Sequence, residues 1–396
     1  MTWYRRHKNF DQSLPPHFSM KITFIAVLLS LFTLACSFAS GAEPLRFFVG
    51  TYTDPNGSRG IYTGQFDTER GILTEPTLVA ESDNPAFLAL HPSKPYLYAV
   101  CEIPKGMLLA YQYNKATGQL TPLDKKEAAG QITCHLAICL TPNGTTGAIV
   151  VANYTSGNVV SFPLLENGKL GDAASDIKHE GSGPNTARQQ SAHPHGVYFD
   201  GATIAVPDLG IDQVVYYTLD LATAALSSSA DHAPLRLAPG AGPRHMTTSK
   251  DKRFVYVLNE LDSTVSVFVR RRTQSPERVQ TVSTLTAGKD AAALNNTTAE
   301  IELHPSGKFL YTSNRGDDSI AVFAVSDGKL TLIQNVSTGG RTPRFFCLDP
   351  SGRFLLACNQ DTGNICVLSV DQETGKLTPT SQSVNVPKPI CLVFAQ

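Results

Sequence analysis

The sequence predicts an all-β chain that folds as a seven-bladed β-propeller. A unit recurs in which an apolar strand, a polar turn and a second apolar strand follow one another, as in residues 299–315 and 342–360. Polar turns that contain glycine and are followed by leucine also recur, and glycine supplies the positive φ that a tight hairpin needs. No pattern with helical spacing continues for ten residues after residue 45. Short strands joined by turns are therefore the predicted elements of this part of the chain.

The number of blades follows from the spacing of the units. They begin near residues 85, 134, 193, 243, 298, 343 and 388. A period of roughly 45–60 residues is typical of a four-stranded blade. Six units are complete, whereas residues 388–395 have no strands after them and the strands of residues 46–80 have no inner strand before them. We therefore expect N-terminal strands to pair with the C-terminal strand in one blade, which closes the ring and removes an open sheet edge.

The N-terminus carries a different pattern. A basic residue, an apolar run over residues 22–35 and a stretch of small residues follow one another, which is typical of a secretory signal peptide. We expect residues 1–42 to be an upstream extension and signal peptide, residues 43–396 to be the propeller domain, and the protein to be exported to the periplasm or secreted. A membrane anchor and a cytoplasmic protein are the alternatives, and the start at Met1 or Met20 stays open. No later apolar run is long enough to span a bilayer.

Composition excludes several classes of function. The formal net charge is −1, which argues against a nucleic-acid-binding surface and against a polybasic membrane surface. Of the eight cysteines, Cys36 falls in the predicted signal peptide and the others are irregularly spaced, unlike a disulfide framework. Cys134 and Cys139 lack the two-residue spacing of a zinc knuckle. The expected partner is a small molecule, and the oligomeric state stays open.

A candidate catalytic site comes from the positions of four polar residues. In a propeller, the starts of the inner strands and the ends of the second strands converge on one mouth of the central channel. His195, Arg244, Glu260 and Arg315 occupy such places in neighbouring units. A histidine with a carboxylate can move a proton near neutral pH, and two guanidinium groups can bind an anion or stabilise an oxyanion. The alternatives are a packed or capping histidine and ion pairs between blades.

Further residues near the predicted mouth are candidates for substrate binding. They are His135, His193, Asp208, His245, Glu300 and Arg344. Arg344 could equally pair with a glutamate of another blade. Two insertions, residues 181–192 and 286–297, are longer than ordinary turns and are predicted to form lids or rim loops.

Several motifs add a resemblance to a known family. They are residues 49–53 (Val-Gly-Thr-Tyr-Thr), 193–197 (His-Pro-His-Gly-Val), 206–210 (Val-Pro-Asp-Leu-Gly), 239–245 (Pro-Gly-Ala-Gly-Pro-Arg-His), 259–261 (Asn-Glu-Leu), 299–307 (Ala-Glu-Ile-Glu-Leu-His-Pro-Ser-Gly) and 313–316 (Ser-Asn-Arg-Gly). Over residues 46–396 the chain resembles the lactonase family of seven-bladed propellers, which includes bacterial 6-phosphogluconolactonases and fungal carboxy-cis,cis-muconate lactonizing enzymes. The resemblance implies hydrolysis of a sugar lactone, first of all 6-phosphogluconolactone to 6-phosphogluconate. A muconate cycloisomerase and a non-catalytic exported binding module are the alternatives.

The resemblance also implies roles for the candidate residues. The His, Arg, Glu and second Arg proposed for the muconate enzymes map in chain order onto His195, Arg244, Glu260 and Arg315, with Arg344 as the competing second arginine. His195 or Glu260 would activate water, and the arginines would hold the oxyanion and the substrate anion. An exported enzyme meets little phosphorylated sugar, so the presence of a phosphate on the lactone stays open.

No metal or other cofactor is expected. Calcium takes about six to eight oxygen ligands, but cationic and neutral side chains dominate the candidate positions. Guanidinium groups would repel a divalent cation. Zinc is less strongly excluded, because His193 and His195 are two residues apart and would face the same side of a regular strand.

Overall fold

The computed structural model describes residues 43–271 and 274–395. In this part the chain forms thirty β-strands and no helix, and the strands build seven antiparallel sheets. Contacts between neighbouring inner strands join the sheets into a ring, so the predicted seven-bladed propeller is confirmed. Within the described residues there is no helix that could cross a membrane. The predicted signal peptide and extension, residues 1–42, lie outside the described residues.

The first four blades are numbered in chain order. Blade I contains β1 (Leu45–Thr51), β2 (Gly60–Asp67), β3 (Ile72–Leu73), β4 (Thr77–Glu81) and β30 (Pro389–Phe394). Blade II contains β5 (Pro85–Leu90), β6 (Tyr96–Cys101), β7 (Met107–Tyr113) and β8 (Leu120–Glu127). Blade III contains β9 (Thr133–Leu140), β10 (Gly147–Asn153), β11 (Asn158–Leu164) and β12 (Ser175–Lys178). Blade IV contains β13 (Tyr198–Asp200), β14 (Thr203–Asp208), β15 (Gln213–Asp220), β16 (Ala225–Ser228) and β17 (Leu235–Arg236).

The remaining three blades have four strands each. Blade V contains β18 (Pro243–Thr248), β19 (Phe254–Asn259), β20 (Thr264–Arg271) and β21 (Gln274–Ser283). Blade VI contains β22 (Thr297–Leu303), β23 (Phe309–Arg315), β24 (Ser319–Ser326) and β25 (Lys329–Ser337). Blade VII contains β26 (Pro343–Leu348), β27 (Phe354–Asn359), β28 (Asn364–Val370) and β29 (Leu377–Asn385).

Both ends of the propeller domain meet in blade I. The C-terminal strand β30 pairs antiparallel with β1, and Val49 lies opposite Leu392. The strand β30 also contacts the inner strands of blades II and VII. It is therefore the inner strand of blade I, and the predicted closure of the ring is confirmed. Pairing on both sides leaves β1 with no open edge.

Apolar side chains fill the spaces between neighbouring blades. Between blades II and III, Tyr98, Ile149 and Phe162 are fully buried. The Tyr98 hydroxyl donates a hydrogen bond of 3.0 Å to the carbonyl of Gly168, in one of the predicted turns before leucine. Gly168 has a φ of 79°, and a Cβ atom there would lie 2.7 Å from the Tyr96 ring. This turn therefore requires glycine for its backbone angle and for the close approach of the neighbouring blade.

A β-bulge recurs near the start of the inner strands. The register skips one residue after Pro243 and one after Pro343, which leaves Arg244 and Arg344 outside the ladder. Thr342, just before the second bulge, has a φ of 60°, which is rare for a β-branched residue. The same skip occurs at Ala86, Cys134 and Ile390. A bulge changes the direction of the side chain of its extra residue. The bulges therefore direct residues such as Arg244 and Arg344 toward the mouth of the channel.

Candidate active site

A polar cavity of about 300 Å³ opens where the inner strands begin. Its lining residues are Glu102, Cys134, Tyr154, Arg188, His195, Glu260, Thr297, Arg315 and Arg344. A larger cavity of about 740 Å³ lies at the opposite ends of the inner strands, beside Leu90, Leu348 and Phe394. None of the predicted site residues lines the larger cavity. The smaller cavity is therefore the candidate active site.

Glu260 lies at the centre of three guanidinium groups. Its Oε1 is 2.7 Å from Arg188 Nη2, and its Oε2 is 3.1 Å from both Arg244 Nε and Arg315 Nη2. The carboxylate is almost completely buried, and burial alone would raise its pKa. The charges of the three arginines outweigh burial and lower the pKa of Glu260 to about 2. Glu260 is therefore a permanently charged group that holds three cations in place.

A second, buried layer lies beneath the cavity around Arg244. Its Nη1 donates to the carbonyl of Ala299 and, at 3.1 Å, to His245 Nε2. Because a guanidinium can only donate, this ring nitrogen accepts, and His245 Nδ1 carries the hydrogen that faces both Glu300 oxygens at 3.0 Å. Burial, and next the charge of Arg244, lower the pKa of His245 well below its ordinary value. Burial raises the pKa of Glu300 to about 8, although Arg244 opposes it.

Arg344 belongs to a separate ion pair on another side of the cavity. Its Nη2 lies 3.2 Å from Glu102 Oε2, and its guanidinium carbon lies 5.2 Å from the centre of the Tyr52 ring. The Tyr52 hydroxyl donates to the same Glu102 oxygen at 2.6 Å. Burial raises the pKa of Tyr52, so the hydroxyl keeps its proton for this bond. Arg344 and Arg315 both line the cavity, and each is a candidate for the second arginine.

His195 lines the cavity from the irregular segment before β13. Its backbone N–H donates to the carbonyl of Pro207 at 2.9 Å, and its ring meets those of Tyr154 and His245 edge-on, with centroids 5.5 and 5.4 Å away. Burial, and next the charge of Arg244, hold the pKa of His195 well below its ordinary value. The imidazole is therefore neutral at neutral pH and can accept a proton.

The cavity also contains a thiol, Cys134, whose Sγ lies 3.9 Å from His195 Nδ1. Burial raises the pKa of this thiol, which favours the protonated form. Like the other cysteines of the described residues, it is free, as expected for a chain without a disulfide framework.

Five of the six predicted substrate-binding residues do not line the cavity: His245 and Glu300 lie in the layer beneath it, and three others lie elsewhere. His193 stacks on Tyr154 with ring centroids 4.5 Å apart and donates from Nδ1 to its carbonyl at 2.8 Å. His135 packs against Phe87 deeper in the channel, and their ring centroids are 3.9 Å apart. Asp208 is fully buried, and its Oδ2 lies 2.6 Å from His179 Nδ1. These three residues shape the walls behind the site, whereas His195, Glu260, Arg315 and Arg344 share the cavity and Arg244, His245 and Glu300 lie beneath it.

With this geometry in place, comparison with known proteins decides the family. The family described as "Lactonase, 7-bladed beta-propeller" matches residues 46–394. The chain belongs to this family. It is 37% identical over 353 residues to a Bacillus subtilis protein named 6-phosphogluconolactonase, and the alignment covers 88% of this chain and 97% of that relative. A Formosa agariphila protein of the same name is 32% identical over 351 residues, with 86% and 96% covered.

A solved structure agrees with these relatives. The periplasmic gluconolactonase of Pseudomonas aeruginosa superposes with a TM-score of 0.82 at 30% identity, covering 89% of this chain and 99% of that one. The resemblance predicted from the motifs is therefore confirmed at the level of the family. The names of these relatives refer to lactone hydrolysis and add nothing to the cycloisomerase alternative.

Several residues that line the cavity or contact its lining were not predicted from the sequence. Tyr52, Glu102 and Tyr154 directly follow the second strands of their blades, as Glu260 does. Their position in the repeating unit was the signal that could have found them. Arg188 lies in the insertion of residues 181–192, and its contact with Glu260 shows that this insertion does reach the rim of the site.

The charges of the site suit an anion better than a cation. Four guanidinium groups approach the cavity or its floor, whereas two carboxylates, Glu102 and Glu260, line it, and each carboxylate is already paired with arginine. Within the described residues no group of three or more His, Cys, Asp or Glu side chains is arranged to hold a metal ion. Chemically, the arrangement offers a neutral base beside fixed positive charge.

Proposed function

We propose that this lactonase-family protein hydrolyses a sugar lactone, with 6-phosphogluconolactone as its substrate. The observation that carries the proposal is that the neutral imidazole of His195 and the guanidinium groups of Arg315 and Arg344 line one cavity. Ester hydrolysis needs a base for water and positive charge for the oxyanion. The names of the relatives indicate the class of substrate.

The proposed reaction begins with water. His195 removes a proton as the water oxygen attacks the lactone carbonyl carbon, and the negative charge that forms on the carbonyl oxygen lies near Arg315 or Arg344. The tetrahedral intermediate then collapses with cleavage of the bond between the carbonyl carbon and the ring oxygen. The imidazolium returns its proton to that oxygen. The products are an open-chain hydroxyl and a carboxylic acid, which ionises in water.

His195 is assigned as the base in preference to Glu260. A carboxylate whose pKa is lowered to about 2 is a weak base, and proton transfer to it would also break its ion pairs. Among the described residues, His195 has no ion pair to break, although burial and the charge of Arg244 disfavour its protonated form. Glu260 is therefore assigned the role of positioning Arg244, Arg315 and Arg188.

The proposal also includes a location. If residues 1–42 direct export as predicted, the enzyme meets its lactone outside the cytoplasm, like the periplasmic gluconolactonase to which it is similar. Gluconolactone itself is then the natural second substrate. Both lactones therefore belong in the test.

The test is stopped-flow measurement of lactone loss, with and without purified protein, because both lactones also hydrolyse spontaneously. We expect acceleration of 6-phosphogluconolactone hydrolysis. Failure to accelerate either lactone would overturn the proposed function. A parallel measurement of the ultraviolet absorbance of a carboxymuconate would detect cycloisomerase activity instead.

A further inference from the structure

Arg188 differs from the other three arginines in its position. Arg244, Arg315 and Arg344 come from the strands of the blades, whereas Arg188 comes from the loop before β13. Its side chain is 40% exposed, compared with 3% for Arg244 and 14% for Arg315. It is therefore the guanidinium at the outer edge of the cavity, where a substrate arrives.

The loop that carries Arg188 is held firmly by its neighbour Gln189. The Gln189 side chain is fully buried, and its Nε2 donates to the carbonyl of Leu209 and to Asp212 Oδ1, both at 2.8 Å. Its Oε1 accepts from the backbone N–H of Asn185 at 3.0 Å. A buried amide with three hydrogen bonds fixes the backbone beside Arg188. The loop therefore holds the backbone of Arg188 in a fixed position.

Among the contacts between described residues, one nitrogen of the Arg188 guanidinium is occupied. Nη2 donates to Glu260 Oε1 at 2.7 Å and to the Tyr154 hydroxyl at 3.1 Å. A guanidinium has five N–H donors, and those on Nε and Nη1 have no partner in the contacts of the described residues. Glu260 and Tyr154 therefore orient the group while leaving donors for a ligand. The ion pair with Glu260 does not need to break when a ligand binds.

Tyr154 contacts both Arg188 and the proposed base. Its ring meets His195 edge-on, and its hydroxyl accepts from Arg188. The base and the guanidinium therefore contact different parts of one tyrosine side chain, the base at the ring and the guanidinium at the hydroxyl. In 6-phosphogluconolactone, the carbonyl carbon and the phosphate are also two separate groups of one molecule.

From this geometry we propose that Arg188 recognises the distal phosphate of the substrate and determines the preference for the phosphorylated lactone. The inference rests on the proposed function, because it places the lactone carbonyl at His195. A planar guanidinium with neighbouring N–H donors matches the oxygen atoms of a phosphate. An unphosphorylated gluconolactone makes no such contact.

The experiment compares kcat/KM for 6-phosphogluconolactone and gluconolactone in the wild type, Arg188→Gln and Arg188→Lys. We expect the ratio of the two values to fall roughly 10- to 100-fold in Arg188→Gln, because a hydrogen bond to a charged group is lost. Arg188→Lys keeps the charge without the fork and should recover part of the ratio. Arg341→Ala removes an exposed positive charge outside the cavity lining and is the control, with an unchanged ratio.

The outcomes separate this inference from the proposed function. Equal losses on both lactones in Arg188→Gln would show that Arg188 only supports Glu260, and the inference would be wrong. A wild type that hydrolyses gluconolactone without preferring the phosphorylated lactone would also overturn it, while lactone hydrolysis itself would stand. Inhibition by inorganic phosphate gives a second measurement that needs only a folded, active variant. We expect the inhibition constant to rise in Arg188→Lys, and an unchanged constant would contradict the inference.

Discussion

Glu260 and Glu300 are both buried glutamates of the same site, but their environments differ completely. Glu260 faces three guanidinium groups, and its pKa is lowered to about 2. Glu300 faces the neutral ring of His245, and burial raises its pKa to about 8. Burial acts in the same direction on both carboxyls. Direct cationic partners, rather than the depth of burial, therefore decide which of the two carboxyls keeps its charge.

The two layers of the site also differ in the charge of their groups. The layer at the cavity holds fixed charges, namely Glu260, Arg188 and Arg315, and Glu260 also pairs with Arg244 of the layer beneath. The layer beneath holds groups that favour their neutral forms, including His245 and Glu300. His195 belongs with the neutral groups but lines the cavity, which is why it is the proposed base.

The largest expected effect concerns that neutral base. In His195→Ala we expect kcat to fall by roughly 10²–10⁴-fold, the usual contribution of a general base. Because the pKa of His195 lies well below its ordinary value, protonation should inactivate the wild type only at a correspondingly low pH. Wild-type kcat should therefore not decline between pH 7.5 and about 6.5, the ordinary pKa of histidine. His232→Ala, remote from the cavity, is the control, and equal activity in both variants would return the role of base to Glu260.

The next effect tests the charged side of the comparison. Glu260→Gln leaves Arg244 and its two neighbours without their shared carboxylate, and we expect the free energy of unfolding to fall by about 3–5 kcal/mol, as when one partner of a buried ion pair is removed. Urea denaturation measures it. Glu373→Gln, at an exposed turn, serves as the control. A loss of less than about 1 kcal/mol, the range of exposed pairs, would show that the arginines do not depend on Glu260.

An effect that is smaller per pH unit tests the neutral side of the site. Between the ordinary pKa of a glutamate and about 8, folded Glu300 keeps a proton that the unfolded chain has lost. Stability should therefore fall as pH rises through this window, by up to about 1.4 kcal/mol per pH unit for one group. Glu300→Gln should flatten the decline. Glu302, whose pKa burial also raises to about 8, should behave in the same way.

Glu260 gives the opposite sign, which makes the pair a matched test. Its folded pKa is lowered, so its contribution to stability is present above the ordinary glutamate pKa and is lost as pH falls toward about 2. Urea denaturation from pH 3 to pH 9 measures both slopes. A Glu300→Gln variant with the same slope as the wild type between pH 5 and 8 would contradict the assignment of Glu300 as a neutral group.

For the last test, removal of metal ions, we expect no effect on activity. We expect dialysis against EDTA to leave lactone hydrolysis unchanged, because the cavity carboxylates Glu102 and Glu260 are already paired with arginines that would repel a divalent cation. Metal content measured before and after dialysis completes the test. Activity that is lost and then restored by calcium or zinc would overturn both this expectation and the arginine-based mechanism.

The fold and part of the site could be predicted because the chain repeats. Glu260 and Arg315 stand at the ends of second strands, and Arg244 stands at an inner-strand start, so the unit alone places them at one mouth. Arg188 could not be placed in this way. It lies in an insertion and meets Glu260 across 72 residues of sequence, a contact that only the folded ring creates.

Asp208 shows that a shift of one residue along a strand decides whether a side chain faces the cavity. It is the last residue of β14, whereas Glu260 is the first residue after β19. Successive side chains of a strand point to opposite faces. Asp208 therefore occupies the place of the buried Asn153 and Asn259, and its carboxylate turns toward His179 instead of the cavity.

The closure of blade I has a consequence for folding during translation. The strand β30, which fills the inner place beside β1, leaves the ribosome more than 300 residues after its partner. Until then the nascent propeller is an arc with an unpaired edge at β1, which is open to association with other chains. A message truncated before residue 389 would retain every residue of the cavity lining but could not close the ring around it. Closure of the ring therefore requires translation of the chain through β30.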